Sequence, residues 1–253
     1  MFAGHACPLD PHKIESLADY MAVVSQLLKG KRSYWFRGHR KVSHTLIPSA
    51  LRYTSAKRRK RAMELLTEFK RVAEIKIERP PRDDEWLKWM QLAQHYGIPT
   101  RLLDWTQSAT FGLYFACEKK TEGKDEEFDC TVFLVDPVNL AALPQGGSSL
   151  DGIPTEVVEK YTRPALPGKL KTIAINPVWN SPRLAVQRGG FTLHGSTVPI
   201  DVKQAPSLYA IPLLKEFRAE LREQLGRVGV DEMTLFPELE HACNHLKRNA
   251  DLE

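Results

Sequence analysis

The spacing of apolar residues predicts a series of amphipathic helices along the 253-residue chain. Apolar side chains recur every three or four positions from Ile14 to Leu28, which is typical of a helix with one buried face. Asp10-Pro11 is expected to open this helix and Gly30 to end it. Further helices are predicted over about 57–78, 84–96, 106–120, 215–225 and 237–248.

Short stretches rich in β-branched and aromatic residues predict strands between these helices. The stretches are SYWFRGH, RLLDW, CTVFLVD, KTIAIN, RLAVQRGGFTLH and LYAIPL, with a bulge or hairpin expected at Gly189-Gly190. In RLLDW, strand alternation places Leu103 and Trp105 on one face and Leu102 and Asp104 on the other. The pattern predicts a single α+β domain, in which N-terminal helices precede a mixed, mostly antiparallel sheet. Residues 1–30 are assigned to an N-terminal helix, and residues 31–253 to the rest of the same globular unit.

Composition and charge narrow the class of protein. The chain is 42% hydrophobic, which supports a substantial core, and it carries a formal charge of +5. It has no apolar run of membrane-spanning length, and its N-terminus, MFAGHACPLDPHK, lacks the pattern of a signal peptide. The four cysteines are scattered, which favours free thiols in a reducing cytosol over a zinc site. We therefore expect a cytoplasmic protein with no membrane partner and no bound metal.

A basic run opens the predicted second helix and leaves two interpretations. Lys57, Arg58, Arg59, Lys60 and Arg61 are consecutive, and such a cluster binds phosphates or acts as an import signal. The alternative is a solvated helix start, because apolar residues follow at helical spacing. Tryptophans offer stacking surfaces for bases, although they also suit a core. Those considered are Trp86, Trp89 and Trp179.

Arg37 is the first candidate for site chemistry, because it lies in an aromatic strand directly before Gly38. A buried guanidinium requires a carboxylate, a phosphate or several carbonyls. An internal ion pair with Asp104 is the structural alternative to a ligand contact. Gly38 leaves room for the close approach of a ligand or of another backbone segment.

The stretch AQHYGIPTRLLDWTQSATFGLYFAC holds the densest mixture of polar residues. Asp104 needs hydrogen bonds or a cation, for which Arg37 and Arg101 are the candidates. Thr106 is predicted to cap the helix that follows, where free backbone N–H groups accept anions. His95 closes the preceding helix near the same corner, either as a satisfied helix-end residue or as part of a site.

Gln187 is a polar amide in a predicted strand, so it needs either backbone partners or a ligand. His194 ends that strand. The chain lacks the G-x-S-x-G, Walker, H-E-x-x-H and G-x-G-x-x-G patterns. These absences disfavour the hydrolase, phosphotransferase, metalloprotease and Rossmann classes together.

The chain resembles the FRG-domain family, which takes its name from a signature that Phe36, Arg37 and Gly38 reproduce. WFRGHRKVSHTLIPSALR resembles the opening motif, and AQHYGIPTRLLDWTQSATFGLYFAC resembles the central one. RLAVQRGGFTLH and TLFPELEHACNHL extend the likeness, which covers about residues 30–248 and assigns residues 31–253 to an FRG domain. The resemblance implies a role in conflict or stress in bacteria and their phages.

The order of the three motifs also resembles, more remotely, that of ADP-ribosyltransferases. This implies a split sheet, NAD as the substrate, and Arg37, Asp104 and Gln187 as the catalytic residues. Gln187 occupies the place of a glutamate; because it cannot stabilise positive charge on the ribose, that role is expected of Asp104. The NAD-contacting set implied by the resemblance is Gly38, His39, His95, Tyr96, Thr100, Arg101, Trp105, Thr106 and His194.

Two functions from different classes follow. The first is an ADP-ribosyltransferase-like toxin or phage-defence enzyme that cleaves NAD and transfers ADP-ribose to a macromolecule. RNA or DNA is the candidate acceptor, and a neutralising antitoxin is a candidate partner. The second is a module that binds nucleic acid or a nucleotide without turnover.

Overall fold

Helices and short strands alternate along the chain in the computed structural model, which describes residues 4–6, 10, 13–29, 33–119, 128–143, 148–163, 170–176 and 182–250. The strands are β1 (His5–Ala6), β2 (Trp35–His39), β3 (Leu102–Thr106), β4 (Cys130–Val135), β5 (Ile173–Ile175), β6 (Gly189–Leu193) and β7 (Tyr209–Leu213). The helices are α1 (Leu17–Leu28), α2 (Ala56–Lys76), α3 (Trp86–His95), α4 (Ala109–Cys117), α5 (Thr155–Lys160), α6 (Pro182–Val186), α7 (Arg218–Arg227), α8 (Glu232–Leu235) and α9 (Leu239–Asn249). The predicted α+β class is confirmed.

The described strands form one sheet in the order β1-β7-β4-β2-β3-β6-β5. β1 runs parallel to β7, and the other neighbouring pairs are antiparallel, so the predicted mixed, mostly antiparallel sheet is confirmed. The two central strands, β2 and β3, pair only through Phe36 and Thr106, whereas β2 pairs with β4 over its full length. Beyond that single pair β2 and β3 diverge. All the described strands belong to one sheet, and the only neighbouring strands among them that part from each other are β2 and β3.

Both faces of the sheet are covered by apolar clusters. Helices α1, α4 and α7 cover the face that carries Phe36 and Val132. The opposite face carries Leu103 and Trp105, while Leu102 packs in a third cluster beneath α2, α3 and α5. The predicted alternation of β3 is therefore confirmed. Asp104 is the one exposed residue of this strand, so β3 delivers a single carboxylate to the surface.

Helix α4 packs on β2 at backbone distance because two glycines face each other. A Cβ at Gly38 would lie 2.2 Å from the carbonyl oxygen of Gly112 and 2.3 Å from the amide nitrogen of Ala116. A Cβ at Gly112 would lie 2.8 Å from the Cβ of Phe36. The glycine of the Phe36-Arg37-Gly38 signature therefore admits a helix backbone, which was one of its two predicted uses.

Two helix starts differ from the predictions. Helix α1 begins at Leu17, because Ser16 and Asp19 form a reciprocal capping box that satisfies its first amides; the predicted start at Asp10-Pro11 is wrong. Ser108 caps α4 by accepting a hydrogen bond from the amide of Phe111. The predicted cap, Thr106, is instead the last residue of β3.

The stretch RLAVQRGGFTLH is only half strand. Residues 182–186 form α6, and the amide of Gln187 donates to the carbonyl of Arg183, which continues the helical turn. Arg188 then takes a φ of 48°, and β6 begins at Gly189. A Cβ at Gly190 would lie 2.8 Å from the indole of Trp35, so this glycine accommodates a packed ring. Gly189 and Gly190 pair with Thr106 and Trp105 in unbroken register, so they do not form a bulge. The strand predicted over 183–187 is therefore wrong.

Candidate ligand-binding cleft

A cleft of about 940 Å³ opens where the two central strands part. Its walls come from β2, the segment 43–54, the start of α2, the second half of α3, β3 and α6. The predicted site residues that line it are Arg37, Gly38, His39, His95, Asp104, Trp105, Thr106 and Gln187. The volume lies at the upper end of the usual range for small-molecule and cofactor sites, so the cleft is large enough for a nucleotide-sized ligand.

Arg37 spans the parting between the central strands. Its Nη1 donates a 2.6 Å hydrogen bond to the carbonyl of Asp104 and lies 3.8 Å from Asp104 Oδ2. Burial lowers the pKa of Arg37 to about 10, and the charge of Asp104 partly offsets this, so the group stays protonated at neutral pH. The predicted ion pair exists, but it uses one edge of the guanidinium. Within the described residues Nη2 makes no hydrogen bond, which leaves it available to an anion.

His39 holds the Nε–H of the guanidinium in place. The Nε–H of Arg37 donates to His39 Nε2 at 3.0 Å, and His39 Nδ1 lies 3.1 Å from the carbonyl of His44. Because Nε2 accepts, the ring proton must lie on Nδ1, where it is donated to that carbonyl. Burial and the charge of Arg37 lower the pKa of His39 to about 2. His39 lines the cleft, but both ring nitrogens serve to orient Arg37.

Asp104 is oriented by residues that precede it in the chain. Its Oδ1 accepts a 2.5 Å hydrogen bond from Gln94 Nε2, and the hydroxyl of Thr100 donates to Gln94 Oε1. Thr100 in turn accepts from the amide of Leu102 at 3.1 Å. Thr100 thus acts at one remove from the cleft. Gln94 was missed by sequence reasoning, although its place one residue before His95 in the central motif was a usable signal.

Gln187 lines the cleft from the end of α6, and one of its two side-chain polar atoms is hydrogen-bonded. Its Nε2 donates to the carbonyl of Leu235 at 3.1 Å, and its own carbonyl accepts from the hydroxyl of Thr106 at 2.6 Å. Of the two predicted uses, the backbone contact is present. The side-chain oxygen makes no hydrogen bond within the described part of the chain, so a ligand contact through that atom remains available.

Four predicted NAD contacts do not line the cleft. Arg101 is fully buried, and it donates from Nη2 to the carbonyl of Arg163 at 2.6 Å, on the side of β3 that faces α2 and α5. His194 is also fully buried, with Nε2 2.9 Å from Thr192 Oγ1, and burial lowers its pKa to about 3. Tyr96 is 62% exposed beyond the end of α3. The fourth is Thr100, whose indirect contact is described above.

The cleft carries a surplus of positive charge. Arginines from four segments line it, against two carboxylates, although Arg183 also pairs with Glu238 at 4.0 Å. The lining arginines are Arg37, Arg40, Arg52, Arg59 and Arg183, and the carboxylates are Asp104 and Glu118. Arg40 and Glu118 pair at 3.1 Å, while burial lowers the pKa of Arg52 and Asp104 opposes that shift. Concave walls of one sign concentrate counter-ions, so the cleft favours an anionic ligand.

The basic run contributes one of these arginines. Arg59 reaches the cleft, where it donates to the backbone carbonyls of residues 53 and 54. Lys60 and Arg61 pair with glutamates of α2 itself, which agrees with the solvated-helix interpretation. Lys57 and Arg58 are exposed at the start of the helix.

Of the tryptophans considered for base stacking, Trp89 has no exposed ring face. Trp89 is fully buried, and its Nε1 donates to the carbonyl of Arg82 at 2.9 Å, so its predicted role in base stacking is wrong. Trp86 packs against the core while remaining partly exposed. Trp179 lies outside the described residues.

The cysteines of the described residues are free thiols. Cys117 and Cys130 are buried free thiols, Cys243 is an exposed one, and Cys7 lies outside the described residues. Over the described ranges no histidine, cysteine and carboxylate group is arranged to hold a metal ion. No helix within those ranges is both long and apolar enough to cross a membrane.

The fold and the site together define an α+β domain with a cationic ligand cleft between its two central strands. Residues 32–125 match the family model described as FRG domain. The match includes β2, α2, α3, β3 and α4, and therefore Arg37 and Asp104; α6 with Gln187 lies beyond it. Neither the curated proteins nor the solved structures hold a match to this chain.

Proposed function

We propose that the protein is an ADP-ribosyltransferase-like enzyme that cleaves NAD and transfers ADP-ribose to a macromolecular acceptor, with RNA or DNA as the candidate. One observation carries the proposal: Arg37 presents a free guanidinium edge beside the carboxylate of Asp104 in a nucleotide-sized cationic cleft. The order of the sequence motifs, which resembles that of ADP-ribosyltransferases, supports the same function.

The chemistry requires no nucleophile from the enzyme. The bond between nicotinamide and ribose breaks, nicotinamide leaves with the electron pair, and the ribose becomes an oxocarbenium-like cation. An acceptor oxygen or nitrogen then forms the new bond at that carbon and loses its proton. Asp104 is suited to stabilise the cation and receive that proton, because its side chain is 59% exposed and oriented by Gln94. Nη2 of Arg37 would bind the pyrophosphate.

The proposal is tested by incubating the chain with NAD alone, with cellular protein and with single-stranded RNA or DNA, and measuring nicotinamide release. We expect Arg37→Lys and Asp104→Asn each to lower the rate about 10²–10³-fold, as losses of transition-state stabilisation do. Arg71→Lys, an exposed position on α2 outside the cleft, is the matched control. Absence of nicotinamide release from every mixture, or full activity of Arg37→Lys, would contradict the proposal.

The biological part of the proposal is a toxin or phage-defence enzyme that acts in the cytoplasm and is restrained by an antitoxin. Expression in a bacterial host should then arrest growth, and Asp104→Asn should relieve the arrest at equal protein level. Growth arrest by the Asp104→Asn variant would separate toxicity from NAD cleavage. Co-purification from cells that tolerate the active chain would recover the neutralising partner.

A binding module without turnover is the second candidate, favoured by Arg59. This residue joins the cleft to the exposed Lys57 and Arg58, so a single strand could follow the start of α2 into the site. Binding of RNA measured across salt concentrations decides the matter, because each neutralised phosphate adds to the slope of log affinity against log salt. A slope near zero would exclude this candidate.

A further inference from the structure

Gln91 has an unpaired amide at the wall of the cleft. The residue is 5% exposed and lines the cleft from α3, yet neither its Nε2 nor its Oε1 has a hydrogen-bond partner among the described residues. An unsatisfied buried donor or acceptor costs about 1–3 kcal/mol. The amide is therefore already desolvated, and a ligand that supplies one acceptor and one donor would recover that cost.

The surroundings of Gln91 suit a planar ring. Gln91 precedes Gln94 by three residues and His95 by four, so the three side chains share one face of α3. The same cleft is lined by Leu51, which is 3% exposed, and by Tyr53, which is 38% exposed. Apolar and aromatic walls with one neutral amide are the usual setting for a heterocycle whose edge is read by hydrogen bonds.

Cations line the same cleft. Arg52 and Arg59 flank Tyr53 in the lining, and Arg59 is held there by the carbonyls of Tyr53 and Thr54. Arg52 donates from Nε to the carbonyl of Ile47 at 2.9 Å. The cleft thus combines a neutral amide, suited to a ring, with positive charge, suited to a phosphate on the same ligand.

We infer that Gln91 is a specificity-determining residue of a nucleotide subsite, in which its amide pairs with the adjacent donor and acceptor of a ring. Adenine and the carboxamide of nicotinamide both present such a pair. The inference rests on the proposed function only in that NAD contains both groups.

The subsite is tested by calorimetric titration with AMP, nicotinamide mononucleotide and ribose 5-phosphate, of which the last has no ring. We expect one of the first two to bind at least about 30-fold more tightly than ribose 5-phosphate, and the better ligand identifies the ring. Gln91→Met, which keeps the length but removes the amide, should reduce that margin about 10–100-fold, the effect of losing one or two buried hydrogen bonds. Gln26→Met, on the exposed face of α1, is the matched control.

Stability supplies the second readout. Since Gln91→Met removes an unpaired buried amide, the free variant should unfold at the same temperature as the parent or higher. Two results would overturn the subsite. One is an equal ratio of nucleotide to ribose 5-phosphate affinity in the parent and in Gln91→Met. The other is a parent that binds ribose 5-phosphate as tightly as it binds both nucleotides. A chain that binds AMP through Gln91 but releases no nicotinamide from NAD would uphold the subsite and refute the transferase. A chain that cleaves NAD, and whose NAD cleavage and binding are unaffected by Gln91→Met, would uphold the transferase and refute the subsite.

Discussion

Replacing Gly38 by alanine should destabilise the protein severely, although the change adds one methyl group. The new Cβ would lie 2.2 Å from the carbonyl oxygen of Gly112, 2.3 Å from the amide nitrogen of Ala116 and 2.7 Å from the carbonyl carbon of Phe115. All three are backbone atoms, so no side-chain rotation relieves the overlap. Helix α4 would have to withdraw from β2 by about 1 Å to restore ordinary van der Waals contact. Overpacking usually costs about 1–3 kcal/mol, and we expect about 3 kcal/mol or more here.

Urea denaturation of Gly38→Ala measures this cost directly. Gly226→Ala is the control: a Cβ there meets no atom within 4 Å, and Gly226 lies in α7, so the variant should be as stable as the parent or up to about 1 kcal/mol more stable. The withdrawal of α4 would also displace Phe115 and Glu118 from the cleft wall, so ligand affinity should fall with stability. A Gly38→Ala variant within about 0.5 kcal/mol of the parent would refute the packing of α4 on β2.

Three further predictions follow from burial and charge. His39 and His194 are held neutral in the folded protein, with pKa values of about 2 and about 3. Below about pH 6.5 the unfolded chain therefore binds more protons than the folded one, and stability falls as the pH is lowered. Between about pH 7.5 and about pH 5 the loss should be about 2 kcal/mol for each histidine. In urea titrations at several pH values, the free energy of unfolding of His39→Gln should show only the loss that comes from His194. An unchanged pH dependence would contradict the assignment of a neutral, buried His39. Trp89→Ala should cost about 3–5 kcal/mol in the same assay, because the ring is fully buried; a cost below about 1 kcal/mol would mean that it is not part of the core. Lys57→Glu combined with Arg58→Glu should lower the salt slope of RNA binding with little change in melting temperature, and an identical slope would remove this surface from the nucleic-acid hypothesis.

The arrangement around Arg37 explains why a short aromatic strand carries an arginine. The parting of β2 from β3 leaves the carbonyl of Asp104 without a strand partner, and the guanidinium supplies the missing donor. His39, two residues further along the same strand, holds Nε of the guanidinium. One arginine thus closes a gap in the sheet and turns its remaining edge toward the cleft. Structural and ligand-binding roles of Arg37 are therefore compatible.

Local patterning was sufficient for most of the fold. The β2 and β3 strands, the alternation of Leu103 and Asp104, and the long α2 all follow from the spacing of apolar residues, which is a property of neighbours in the chain. The same reasoning predicted that Arg37 and Asp104 lie close together. Arg37 lies on a strand next to a glycine, and Asp104 lies on a strand next to a helix start. The resemblance to the FRG-domain family was likewise seen in contiguous motifs, and the family model matches residues 32–125.

Tertiary structure alone decided which polar residues face the cleft. Arg101 is adjacent to β3 in the chain but lies in the core against α2, whereas Arg52 and Gln91 reach the cleft from segments about 50 and 13 residues from Asp104. Gln187 sits on a helical turn because Gly189 begins the strand that packs beside β3. Strand pairing and helix packing set these positions through contacts between residues far apart in the chain. A pattern of neighbouring side chains carries no information about such contacts, and for that reason the sequence predicted the strands but not the full lining of the cleft.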